Sequence, residues 1–177
     1  MKNTLIIISG MPATGKTRFA EWLSCEICVS LLSLDDVWEK AETSTIPFDK
    51  YWILCENIMK SSKPLIIEFG FDDKLKPAID ELIKKYKYHT INVHFDTLIE
   101  TAHCRFNDRR HNEMGGSKPQ ISLEQFKKII GFDETMSNSS KDFRFGGLII
   151  YVDTTDFSTV SYMNIAKQIQ QYATGGE

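Results

Sequence analysis

Residues Gly10 to Thr17 read GMPATGKT, a G-x-x-x-x-G-K-[ST] pattern without a mismatch. The two glycines permit backbone dihedrals and close approaches that a Cβ would block, so the amides from Ala13 to Thr17 can point at a polyphosphate. A helix beginning at this point adds the partial positive charge of its N-terminus. Lys16 has the reach and charge to meet β- and γ-phosphates, and the Thr17 hydroxyl is a hard oxygen ligand suited to Mg²⁺. As a residue of a surface loop, Lys16 is expected to be replaceable without loss of the fold.

Carboxylates and guanidinium groups elsewhere could complete a phosphoryl-transfer centre. Asp35 and Asp36 follow an apolar run; one could cap a helix starting at Val37 while the other accepts a proton, and Asp35, nearer the strand end, is the preferred base. Glu68 closes a second apolar run, where a charge requires a partner. Three roles stay open for it: a water-mediated contact to Mg²⁺, a structural ion pair and a contact to the acceptor. Arg105 and Arg109 are four residues apart on one helical face, with Arg110 alongside, ahead of a flexible stretch containing Gly115 and Gly116. A hinged basic segment of this kind could close over a γ-phosphate and offset developing charge. Asp96 reads as structural. The run from Asp153 to Asp156 reads as a turn whose backbone could still meet an adenine.

Five apolar stretches must position these groups: Leu5 to Ile8, Ile27 to Leu34, Pro64 to Phe69, Thr90 to Phe95 and Gly147 to Val152. Helical patterns alternate with them. The first runs from the glycine-rich turn to about Ser24. Phe48 to Met59 follows, with Tyr51, Trp52, Cys55 and Met59 on one face, and then a helix opened by Pro77 with Ile79, Leu82, Ile83 and Tyr86 as its buried stripe. Thr97 to Glu100 matches a capping box, which predicts a helix from there to about Arg110, and Ser122 to Gln125 matches a second, opening a helix that stops at Gly131. Thr159 to Tyr172 closes the chain as an amphipathic helix, and Asp133 to Phe145 carries no clear period. Alternating strands and helices predict a parallel sheet covered on both faces, with ligands beyond the carboxyl ends of the strands. The glycine-rich loop then falls after the first strand, Asp35-Asp36 after the second, Glu68 after the third, Asp96 after the fourth and Asp153 after the fifth.

At 177 residues the chain is the size of one domain, with a net charge of -3. A protein gripping a long nucleic acid usually carries a basic surplus, so a nucleic-acid partner is not expected. The N-terminus shows neither a secretory pattern nor a membrane-length apolar run, which makes the cytoplasm the expected location and a membrane partner unexpected. The four cysteines suit reduced thiols, and Cys25-Glu26-Ile27-Cys28 lacks the second ligand pair of a metal site. Trp38, Phe48, Trp52 and Phe71 could line an aromatic acceptor pocket or belong to the core.

With these residues placed, the chain resembles the small P-loop kinases that group polynucleotide 5′-kinase, chloramphenicol phosphotransferase, zeta toxins and related predicted kinases. The resemblance is carried by GMPATGKT, the Leu34-Asp35-Asp36 step, Ile66 to Phe71, the Arg105 to His111 stretch and Tyr151 to Thr155. It implies an α/β P-loop NTPase fold: a five-stranded parallel sheet of order 2-3-1-4-5, helices on both faces and a small lid at about 105–120, all in one domain spanning 1–177. It also implies ATP as donor. The nucleotide-binding set is then Gly10, Met11, Pro12, Ala13, Thr14, Gly15, Lys16, Thr17 and Arg18, joined by Arg105, Arg109 and Arg110. Catalysis would rest on Lys16, Asp35, Arg105 and Arg109, and Mg²⁺ on Thr17 and Glu68. In the polynucleotide kinases an arginine stands three residues after the catalytic aspartate, whereas here the position is Trp38. The expectation is therefore an ATP- and Mg²⁺-dependent transfer to a hydroxyl of a small molecule. A polynucleotide or toxin-type nucleotide-sugar kinase, and a non-enzymatic nucleotide-binding regulatory module, stand as alternatives.

Overall fold

The computed structural model describes residues 1–35, 47–70, 76–113, 119–131 and 145–175. Its strands are β1 (Thr4–Gly10), β2 (Ser30–Ser33), β3 (Leu65–Phe69), β4 (His89–Asp96) and β5 (Leu148–Asp153). They form one sheet of order β2-β3-β1-β4-β5, and every neighbouring pair is parallel. The connecting helices are α1 (Lys16–Ile27), α2 (Pro47–Lys60), α3 (Lys76–Tyr86), α4 (Ile99–Glu113), α5 (Leu123–Ile129) and α6 (Tyr162–Thr174). Among the described residues no helix is long and apolar enough to cross a membrane.

The period of two along each strand divides the core into two layers. Ile6 and Ile8 of β1 face α1 and α6, where they meet Phe19, Leu23, Phe95, Ile165 and Ile169. Leu5 and Ile7 face α2 and α3, where Tyr51, Cys55, Met59 and Ile79 close the other side. Tyr51, Cys55 and Met59 thus form the predicted core face of α2, with Trp52 partly buried beside them. Burial pushes the Cys55 thiol up to about 12.

Several boundaries differ from the sequence expectation, each for a local reason. The first helix continues past Ser24 to Ile27, because Leu23 and Ile27 share its apolar face and Cys28 then turns the chain in a left-handed conformation, φ 53°. Val29 donates its N–H back to the Ser24 carbonyl, so β2 starts only at Ser30. The capping box expected at Thr97 does not form. The helix starts at Ile99, and the donor left by Leu98 is met by Thr155 Oγ1 from the far end of β5 at 3.4 Å. That partner lies 57 residues away, beyond the reach of a local motif. The capping box at Ser122 and Gln125 forms in both directions. The last helix begins later than Thr159: a short turn at Phe157–Thr159 comes first, and Ser161 caps α6. The segment expected to act as a lid is helical through Glu113, while Gly115 and Gly116 lie outside the described residues.

Candidate phosphate-binding and transfer site

The glycine-bearing loop expected to bind phosphate leaves β1 where that strand is flanked by β3 and β4. Gly10, at φ 152°, lies so close to β4 that a Cβ would run into the Phe95 carbonyl oxygen. Ala13 and Gly15 take left-handed dihedrals, φ 63° and 83°, and the buried Thr14 hydroxyl donates to the Met11 carbonyl at 2.8 Å to close the loop. Left-handed geometry is costly for alanine, a strain found where backbone amides must converge. The helix behind the loop starts at Lys16 with no side-chain cap and no acidic residue in its first turn. Its leading N–H groups therefore retain their positive end for an anion.

Lys16 is not in an exposed loop, contrary to the sequence expectation. As the first residue of α1 it is buried, and its Nζ pairs with Glu68 Oε1 at 3.3 Å. The cause is the register: Ile8 of β1 lies opposite Glu68 of β3, which brings the carboxylate beneath the start of α1. Glu68, only 1% exposed, also accepts hydrogen bonds from Thr17 Oγ1 on Oε1 at 3.3 Å and from Ser33 Oγ on Oε2 at 2.8 Å. Of the three roles left open for Glu68, the structure shows the ion pair. Its hard oxygen beside the Thr17 hydroxyl also fits a divalent cation.

Lys16, Thr17, Arg18, Asp35, Arg105 and Arg109 all line one open cleft of about 670 Å³, together with Pro12, Ala13 and Gly15. Asp35 is exposed there, two residues beyond the end of β2. Asp36 and Trp38 lie outside the described residues, as do Phe71 and the side chain of Phe48. Arg105 is held by the fold: its Nη2 donates to the Thr155 carbonyl at 3.1 Å, and its guanidinium stacks 4.1 Å from the Phe157 ring centre. Among the described residues Arg105 Nη1 is buried without a hydrogen-bond partner. Arg109 is exposed at the cleft and lies 5.8 Å from the Phe106 ring, with Arg110 at 5.7 Å from the same ring. Arg110 is not among the residues lining the cleft.

Asp96 has the structural role expected of it: its side chain accepts from the Thr97 amide, and its carbonyl accepts from Thr154. Asp156 caps the Phe157 turn, and the hydrogen bonds from Ser158, with a smaller contribution from Arg105, hold its carboxyl below the usual range. Two residues of this site escaped the sequence. Ser33 gains meaning only once β2 lies beside β3, and Phe157 is an exposed aromatic whose ring packs over Gly15. An aromatic residue just after a turn at the ligand edge is the one available signal for the latter.

No family model matches the chain, and no curated protein matches its sequence. Solved structures do match its fold. A protein of Chloroflexus aurantiacus carrying a provisional kinase designation is 19% identical over 100% of both chains, with a TM-score of 0.74. A shikimate kinase from Acinetobacter baumannii in complex with shikimate is 17% identical, with 98% of this chain and 94% of that one covered at a TM-score of 0.55. Chaetomium thermophilum Kti12 in complex with ADP-AlF3 is 13% identical over 95% and 98% of the two chains, also at 0.55. The chain has the P-loop kinase fold, with the parallel sheet order 2-3-1-4-5.

Proposed function

We propose that this chain is an ATP- and Mg²⁺-dependent phosphotransferase that moves the γ-phosphate to a hydroxyl of a small molecule, in the manner of the small P-loop kinases it resembles. The observation that carries the proposal is one cleft lined both by the glycine-bearing loop and helix start and by the exposed carboxylate of Asp35. A binding module needs the cradle alone; a carboxylate in the same cleft suits transfer. The fold's occurrence in a shikimate kinase and in a protein holding ADP-AlF3 supports a hydroxyl acceptor and a nucleotide donor. The net charge of -3 favours a small acceptor over a polynucleotide.

In this mechanism the amides of Ala13 to Thr17 bind the polyphosphate, and Lys16 turns from Glu68 toward the β- and γ-phosphates. Asp35 accepts the proton of the acceptor hydroxyl as its oxygen bonds to the γ-phosphorus and the bond to the β-phosphate oxygen breaks, leaving ADP and a phosphate ester. Arg109, on the segment that would act as a lid, offsets the charge that grows on the transferring group. Arg105 and Phe157 supply a flat border where a nucleobase can stack. Thr17 and Glu68 are the residues that would hold Mg²⁺, which supplies charge neutralisation on the β- and γ-oxygens.

Incubating the protein with γ-labelled ATP, Mg²⁺ and a panel of hydroxyl metabolites should give label transfer to one chemical class. Asp35→Asn should lower that transfer by about 100-fold or more while ADP still binds, because only the base is removed. Transfer that survives Asp35→Asn would overturn the assignment of the base. A protein that binds no nucleotide would overturn the function.

A further inference from the structure

Glu68 lies buried behind two residues that line the cleft, Lys16 and Thr17, and has three donors: Lys16 and Thr17 on one oxygen, Ser33 on the other. Among the described residues Lys16 is its cationic partner. Lys16 therefore has two claimants, the buried carboxylate and an incoming polyphosphate. We propose that Glu68 couples nucleotide and divalent-cation binding by exchanging Lys16 for the metal, and that Ser33 is the positioning residue that keeps it from following Lys16. The proposal rests on the phosphotransferase reading.

When phosphate draws the ammonium of Lys16 away, Glu68 is left buried with two neutral hydroxyl donors, and an uncompensated buried charge is expensive. Nucleotide alone then binds weakly, because the cost of stripping Glu68 is subtracted from its contacts. A divalent cation arriving with the nucleotide replaces the lost charge on the side where Thr17 already stands. The exchange is of non-covalent partners only.

Ser33 makes the exchange possible. Its hydroxyl is buried, directly opposite Glu68 in the β2–β3 register, and forms the shortest of the three contacts at 2.8 Å. With one carboxylate oxygen tied to β2, the other stays at the phosphate end when Lys16 leaves. The chain reaches Asp35 two residues after Ser33, so the same hydroxyl ties the phosphate-binding end of the cleft to the strand that carries the acceptor-side carboxylate.

Calorimetric titration with ADP, once with Mg²⁺ and once with EDTA, tests this on the wild type, Glu68→Gln and Ser33→Ala. In the wild type, removing Mg²⁺ should weaken ADP by about 30-fold or more, the scale of leaving a buried charge unpaired. In Glu68→Gln the gap should shrink to about threefold or less, and it should do so because metal-free ADP binds more tightly than to the wild type. Ser33→Ala should narrow the gap partway. Equal wild-type affinities in the two buffers would overturn the proposal and leave the phosphotransferase reading standing, as would a Glu68→Gln protein that loses affinity equally in both. Absence of ADP binding by the wild type in either buffer would overturn both. If Glu68→Gln does not fold, the wild-type pair of titrations and Ser33→Ala still decide.

Discussion

Replacing Lys16 by alanine should destabilise the protein as well as disable it. The Lys16 side chain is 9% exposed and that of Glu68 1%, so the substitution removes the cation from a carboxylate with almost no access to water. Breaking a buried pair on one side costs about 3–5 kcal/mol, and the hydroxyls of Ser33 and Thr17 that still face Glu68 reduce this to roughly 2–4 kcal/mol. For a chain of this length each kcal/mol moves the melting temperature by about 2–4 °C, so a fall of roughly 4–16 °C is expected. Differential scanning calorimetry of Lys16→Ala, Glu68→Gln and the double variant measures it. The double variant should recover most of the lost stability, because no buried charge then remains. Glu68→Gln alone should cost less, since Lys16 at the cleft wall can turn toward solvent. A Lys16→Ala protein melting within about a degree of the wild type, or a double variant no more stable than the single, would refute the reasoning.

Three other outcomes follow from the same geometry. Arg109→Ala should reduce kcat by about 10-fold or more with little change in ADP affinity, because the arginine is asked to stabilise charge that grows at the transition state; a loss confined to affinity would make it a binding clamp. Phe157→Ala should weaken ADP by about tenfold while leaving inorganic tripolyphosphate unaffected, since only the former carries a ring to stack, and equal losses for both ligands would place Phe157 in support of the loop instead. Because burial raises Cys55 to about 12, it carries almost no thiolate at pH 8; Cys25, Cys28 and Cys104 are exposed. A thiol-disulfide exchange reagent at that pH should titrate those three rapidly and Cys55 only on denaturation, and four thiols reacting at one rate would contradict the burial.

Legibility differed from one part of the chain to another. The order of elements, the parallel sheet and the tight glycine-bearing turn between β1 and α1 could all be read in advance, because each is encoded over short range: β-branched runs for buried parallel strands, and a glycine at each backbone position a side chain would obstruct, Gly10 and Gly15. The core face of α2 was equally plain, since Tyr51, Cys55 and Met59 recur at helical spacing. Motifs failed where the partner was distant. Thr97 and Glu100 have the spacing of a cap, yet Thr155, 57 residues beyond Leu98 and just past the end of the neighbouring strand β5, satisfies the helix start. Lys16 looked exposed because a glycine-rich loop usually is, and only the parallel register, with Ile8 against Glu68 and Glu68 against Ser33, reveals the carboxylate beneath it. Arg105 and Arg109 looked alike at four-residue spacing, but the turn after β5 holds the first through Thr155 and Phe157. Residue types and spacing thus determined which chemistry the chain could hold and on which edge of the sheet. Tertiary structure decided which charges meet, because that depends on strand register and on contacts tens of residues apart, which no local pattern encodes.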